Sequence, residues 1–117
     1  MNWTKVLDDG ALAEGDKMVV PLAQREVLLI RHRGQVFATE SRCPHLGWGL
    51  KSGKITEDGH LVCQLHHSEY DLRTGEVLTW APWPPVVGPA LGAIREKRGL
   101  VVYPTRVSEG AIWVGTE

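Results

Sequence analysis

The sequence has little cysteine, no long apolar run and no block of like charge. Only two cysteines occur among 117 residues, whereas a secreted scaffold of this size held together by disulfides would normally need more. A reducing, cytoplasmic compartment is therefore the simplest expectation. The apolar stretches are too short to span a bilayer. The first residues also lack the charged start and apolar run of a signal peptide.

The charge balance excludes further classes of protein. The formal net charge is −1, no basic block indicates a nucleic-acid partner, and no acidic tail indicates disorder. Apolar residues make up 43% of the chain, which is enough for one core. The length fits a single domain over residues 1–117.

Short apolar, β-branched clusters separated by turn residues predict an all-β fold. Thirteen glycines and seven prolines favour many short elements joined by tight turns over long helices. The spacing is typical of an antiparallel sandwich or barrel. Strands are predicted over residues 17–21, 25–31, 36–39, 60–63, 70–72, 76–78, 99–107 and 111–115.

Two segments differ from this pattern. Residues 8–16 form a turn-rich lead-in with room for one helical turn. Residues 80–99 open with prolines, which cannot pair in a central strand. A short helix is predicted after Pro89.

Two short segments bring together the side chains that bind metals. Cys43-x-His45 is followed, after seventeen residues, by Cys63-x-x-His66. Two thiolates and two imidazoles suit zinc, and they also suit an iron–sulfur cluster of mixed ligation. Zinc fingers keep their cysteines in one pair and their histidines in another, whereas here each segment contributes one of each. That arrangement favours two irons, one held by the cysteines and one by the histidines, with a structural zinc module as the alternative.

The stretches "CPHLG" and "CQLHHSEYDLRTGEVL" resemble the Rieske iron–sulfur family, whose pattern is C-x-H, a spacer of about this length, and C-x-x-H. The flanks "VFATESRCPH" and "LVVYPTRVSEGAIWV" extend the resemblance over residues 17–114. It implies a Rieske-like antiparallel β-sandwich or barrel with a small cluster-binding subdomain inserted at about 41–82. It also implies one Rieske-type [2Fe-2S] cluster, held by Cys43, His45, Cys63 and His66.

The resemblance is to the branch without a bridging disulfide. The high-potential respiratory branch carries an extra cysteine in each ligand segment, and this chain has no spare cysteine. That argues against a subunit of a respiratory or photosynthetic complex. Ser68 and Tyr70 stand where hydroxyls of the high-potential branch donate hydrogen bonds to cluster sulfur. Pro82 resembles part of the family's proline-containing loop beside the cluster.

The remaining histidines are not expected to be ligands. The pattern C-x-x-H selects His66. His67 stands where the family commonly has glycine, a residue that permits a close approach or positive φ. His32 and His60 each lie alone in a strand context. A lone histidine of this kind more often packs than binds a metal.

The resemblance implies a small soluble ferredoxin with no catalysis of its own. It would take one electron from a reductase and pass it to a partner, the terminal component of a multicomponent oxygenase being the first choice. It is expected to be monomeric when free, with no nucleic-acid or membrane partner. The alternative is a cluster-bearing small subunit of a nitrite reductase-like or other oxidoreductase complex.

Ser68 gives a first test. Neutral imidazole ligands place Rieske potentials roughly between −150 and +300 mV, and donors to sulfur stabilise the more negative reduced cluster. Ser68→Ala should therefore lower the midpoint potential, measured by a redox titration followed by EPR. A potential that does not fall would contradict the role of the hydroxyl.

Overall fold

The computed structural model describes residues 2–42, 49–63, 68–79 and 99–116. The chain divides into two compact units, Met1–Ser41 with Val102–Glu117 as the first and Arg42–Val101 as the second. In sequence, the second unit is inserted between the two segments of the first. The bounds of about 41–82 for a cluster-binding subdomain stay a prediction, because the predicted ligands lie largely outside the described residues.

Almost all regular structure in the described residues is antiparallel strand, which confirms the predicted all-β class. Two short 3-10 turns, Asp9–Ala11 and Leu50–Ser52, are the exceptions. Among the described residues, no helix is long and apolar enough to cross a bilayer. The strands are β1 (Asn2–Asp8), β2 (Lys17–Leu22), β3 (Arg25–His32), β4 (Gln35–Glu40), β5 (Lys54–Ile55), β6 (His60–Val62), β7 (Glu69–Asp71), β8 (Val77–Thr79), β9 (Val102–Tyr103), β10 (Thr105–Ser108) and β11 (Ala111–Thr116).

The first unit contains two sheets, with strand orders β1-β11-β10 and β2-β3-β4-β9. The meander from β2 to β4 follows the sequence prediction closely. Arg33 and Gly34 both have positive φ, 51° and 77°, as a two-residue hairpin turn between right-twisted strands requires. The core draws on both sheets, and its buried members are Leu12, Val20, Leu22, Val27, Leu29, Val36, Ala38, Ile112 and Val114.

The predicted single strand over 99–107 is wrong, because Pro104 divides it. Val102 pairs with Thr39 of β4, whereas Arg106 pairs with Trp113 of β11. Proline has no N–H to donate to a ladder, so the chain leaves one sheet before Pro104 and enters the other after it. The Pro104 carbonyl still accepts a hydrogen bond from the Gly115 N–H at 2.9 Å.

Ile112 and Val107 lie directly opposite each other on β11 and β10, yet their burial differs. Ile112 is fully buried and Val107 is 50% exposed. We expect Ile112→Ala to lower the free energy of unfolding by about 2–5 kcal/mol, because it leaves a cavity in the core. The matched Val107→Ala should cost less than about 1 kcal/mol. Urea unfolding measures both, and equal losses would contradict this assignment of the core.

The hairpin turn between β3 and β4 is held by Glu14. Its carboxylate accepts the backbone N–H of Arg33 at 2.7 Å and of Gly34 at 2.8 Å. These hydrogen bonds, from Gly34 and then Arg33, lower the pKa of Glu14. The lead-in that carries Glu14 is itself fastened to β3, since the Arg31 side chain donates to the Leu12 carbonyl at 2.6 Å.

The lowered pKa makes the contribution of Glu14 dependent on pH. A depressed carboxyl pKa stabilises the fold fully above the ordinary pKa of glutamate, and the stabilisation is lost as pH falls through the lowered value. Glu14→Gln should therefore be less stable than the parent at neutral pH, and the difference should shrink on acidification. The control is Glu26→Gln at an exposed position of β3. Thermal unfolding across pH measures both variants, and an equal pH dependence of their stability would contradict the role of Glu14.

Candidate metal centre

The β6–β7 pair flanks the second predicted ligand segment. Leu61 pairs with Tyr70 and Val62 with Glu69. One step further along, the Cys63 N–H donates to the Ser68 carbonyl at 2.8 Å. The hydrogen-bonded residues Cys63 and Ser68 therefore stand on either side of residues 64–67. The ladder fixes the separation of the two ends.

The two faces of this pair differ in burial. Leu61, Ser68 and Tyr70 are fully buried, and Cys63 is 3% exposed. Residues that face each other across a ladder share a side of the sheet, and so do alternate residues along a strand. Cys63 therefore stands on a water-excluding face beside two side chains that carry hydroxyls. A surrounding of this kind controls solvent access and local dielectric at a metal ligand.

The first predicted ligand segment is also closed at its base. Arg42 and Gly49 form an antiparallel bridge, so residues 43–48 begin and end at neighbouring positions. After Gly49 the chain makes the 3-10 turn that buries Leu50 completely. It then enters β5, which pairs with β6 through Lys54 and Val62.

Gly53 brings the exit of the first segment against the strand that leads to Cys63. A Cβ added at Gly53 would lie 2.4 Å from the Val62 carbonyl oxygen and 3.1 Å from that of Leu50. Only glycine allows so close an approach of two backbones. Both predicted ligand segments are thus attached to β6. The chain that follows the first segment packs against β6, and the second segment continues directly from β6.

The structure places three of the predicted site residues and leaves the others outside its described part. Cys63, Ser68 and Tyr70 lie together on the buried face of β6 and β7. The residues outside the described part are Cys43, His45, His66, His67 and Pro82. The four-ligand set therefore stays a prediction. Within the described ranges, no group of three or more His, Cys, Asp or Glu side chains could hold a metal ion.

His60 has a contact that its sequence context did not reveal. Its Nδ1 lies 2.6 Å from Glu69 Oε2, and both side chains are half-buried. The prediction treated His60 as a lone packing residue. The strand register would have revealed the contact, because pairing Val62 with Glu69 places His60 diagonally across from that glutamate.

Residues 2–94 match the model of the Rieske [2Fe-2S] domain. The chain belongs to the Rieske [2Fe-2S] domain family. Its cofactor is accordingly a Rieske-type [2Fe-2S] cluster rather than a structural zinc ion. The buried Cys63 fits this group, since a thiolate on a water-excluding face, with hydroxyl donors beside it, is the environment in which iron–sulfur potentials are tuned.

The chain is similar to relatives named as a ferredoxin component and as a sulredoxin. The chain is 29% identical over 106 residues to the ferredoxin component of an alkene monooxygenase system of Xanthobacter autotrophicus, covering 91% of this chain and 75% of the relative. It is 31% identical over 115 residues to sulredoxin of Sulfurisphaera tokodaii, covering 97% and 98%.

Solved structures agree on the fold. The ferredoxin of carbazole 1,9a-dioxygenase from Nocardioides aromaticivorans matches with a TM-score of 0.78 at 20% identity, over 100% of both chains. The terminal oxygenase of the same system matches with a TM-score of 0.76 at 34% identity. This chain covers only 31% of that oxygenase chain, so the match concerns a part of the larger protein.

The close approach at Gly53 gives a test of the scaffold around Cys63. Gly53→Ala should lower the free energy of unfolding by about 1–3 kcal/mol, because both neighbouring atoms belong to the backbone and must shift. Gly49→Ala is the matched control, since no atom of the described residues lies within 4 Å of its added Cβ. Chemical denaturation of the two variants compares them, and a Gly53→Ala variant as stable as the parent would disprove the contact.

Proposed function

We propose that this protein is a one-electron carrier that receives electrons from a reductase and delivers them to the terminal component of a multicomponent oxygenase. The observation that carries the proposal is the similarity over 91% of the chain to a relative named as the ferredoxin component of an alkene monooxygenase system. Two further relatives are named as ferredoxin components of biphenyl dioxygenase systems. Family membership supplies the redox group that such a role requires.

The proposed ligands are Cys43 and Cys63 for one iron, and His45 and His66 for the other. When bound, the cluster supplies a one-electron couple of higher potential than an all-cysteine cluster, because two ligands are neutral. The spacing of the four residues supports this assignment. So does the position of Cys63, at the end of a strand and out of water.

The chain's own contribution is to hold the ligands and to exclude water. Leu61 and Tyr70 bury the side of β6 and β7 on which Cys63 lies. The Cys63–Ser68 backbone hydrogen bond fixes the ends of the second segment. A rigid site of this kind limits the rearrangement that accompanies a change of charge. Ser68, Tyr70 and Pro82 are proposed to adjust the potential.

The proposal places the carrier in the cytoplasm as a monomer that meets its partners transiently. The low cysteine content supports a reducing compartment. The net charge of −1 offers no field that would draw the protein to nucleic acid.

Reconstitution tests the function directly. The purified protein is combined with NADH, a ferredoxin reductase and a terminal oxygenase from its own organism, and oxygenated product is measured. Product formation should require this protein and should be lost with Cys63→Ala, a variant that removes one proposed ligand. Full turnover without the protein would overturn the proposal.

Affinity purification separates the carrier from the alternative role. A free carrier should be recovered largely alone. Recovery in a fixed ratio with a large oxidoreductase subunit would instead identify a bound subunit and contradict the carrier.

A further inference from the structure

The outer face of β6 and β7 carries a side-chain contact close to the second ligand segment. His60 and Glu69 face each other diagonally, with 2.6 Å between Nδ1 and Oε2. Their side chains are 24% and 29% exposed, so the contact is partly shielded from water. Glu69 directly precedes Tyr70 and directly follows Ser68, which closes the ligand segment against Cys63.

The ladder that this contact spans is short. β6 and β7 share three paired positions, and the Cys63–Ser68 hydrogen bond extends them by one step. β6 and β7 are the inner strands of the sheet β5-β6-β7-β8, but a ladder of so few paired positions can still open locally at low free-energy cost. A contact between side chains across such a ladder stabilises its register, and here the end of the ladder is the base of the ligand segment.

Two hydrogen bonds to Thr56 hold the backbone of His60 in place. Its N–H donates to Thr56 Oγ1 at 3.1 Å, and its carbonyl accepts the Thr56 N–H at 2.9 Å. The turn before β6 therefore holds the His60 backbone. An imidazole with hydrogen on Nδ1 donates to a carboxylate oxygen, and the Nδ1–Oε2 distance is that of such a hydrogen bond.

We propose that His60 and Glu69 form a cross-strand clasp that positions Cys63 and Ser68 for cluster binding. The clasp ties the fixed turn at Thr56 to the residue next to Ser68, and so keeps β6 and β7 paired up to the ligand segment. Both are positioning residues, since neither is a proposed ligand. The inference rests on the proposed function for the assignment of Cys63 as a ligand.

Variants of the cluster-loaded protein test the clasp. His60→Ala, Glu69→Ala and the double variant are compared for cluster loss to an iron chelator, followed by visible absorbance. Each single change should speed the loss by roughly tenfold, as for residues that support metal ligands. The double variant should be no faster than the faster single variant, because both remove the same interaction.

Hydrogen–deuterium exchange supplies the readout that a general loss of stability would not give. In both alanine variants, exchange should quicken in the peptide that contains the Cys63 N–H, while β2–β4 stay as protected as in the parent. His60→Asn, which retains a donor at the position of Nδ1, should restore slow exchange and slow cluster loss. Glu69→Gln, which retains an acceptor, should likewise keep exchange and cluster loss slow. If Glu69→Ala fails to fold, Glu69→Leu, which removes the acceptor and keeps an apolar side chain of similar size, takes its place.

Asp71→Asn is the matched control for charge. It removes one carboxylate from the same face of β7, yet it keeps the oxygen that accepts the Arg73 N–H at 2.7 Å. Additive effects of the two alanine variants, unchanged exchange at Cys63, or an Asp71→Asn effect equal to that of Glu69→Ala would each overturn the clasp. A parent protein without a [2Fe-2S] spectrum would overturn the proposed function instead, and exchange at Cys63 would still decide the clasp.

Discussion

The hydrogen bond from the Cys63 N–H to the Ser68 carbonyl, 2.8 Å long, is the constraint on which the ends of the second predicted ligand segment depend. It converts two three-residue strands into the two ends of a closed segment, and it aligns the side chains of Cys63 and Ser68 on one buried face. Leu61 and Tyr70, on the same face, are fully buried as well. The bridge from Arg42 to Gly49 closes the first segment in the same way.

Much of the scaffold could be predicted because turn chemistry and hydrophobic pattern agree there. The Arg33-Gly34 turn and the apolar run of β3 define the first meander from sequence alone. β1 could not be predicted, since its burial alternates poorly and its register is interrupted between Lys5 and Leu7. It is a strand because β11 offers it an edge, which is a tertiary effect. Pro104 can be recognised from the sequence as a break in the strand. Its consequence, a change of sheet, also depends on pairing partners that are distant in sequence.

The same distinction between local pattern and distant pairing applies to the candidate site. Spacing and residue type predict Cys43, His45, Cys63 and His66 as the ligands, because metal chemistry restricts which side chains act together. Membership of the Rieske family then decided between iron–sulfur and zinc. What spacing could not give was the support around the ligands. The approach of Gly53 to Val62 and the contact between His60 and Glu69 arise from strand register, which pairs residues far apart in sequence.

The central claim is that two cysteines and two histidines divide between two irons in one cluster. A Mössbauer spectrum of the oxidised protein enriched in ⁵⁷Fe tests it most directly. The account predicts two quadrupole doublets of equal area with different isomer shifts, one for the thiolate-bound iron and one for the imidazole-bound iron. A single doublet from two equivalent irons, or a protein that contains zinc and no iron, would contradict it.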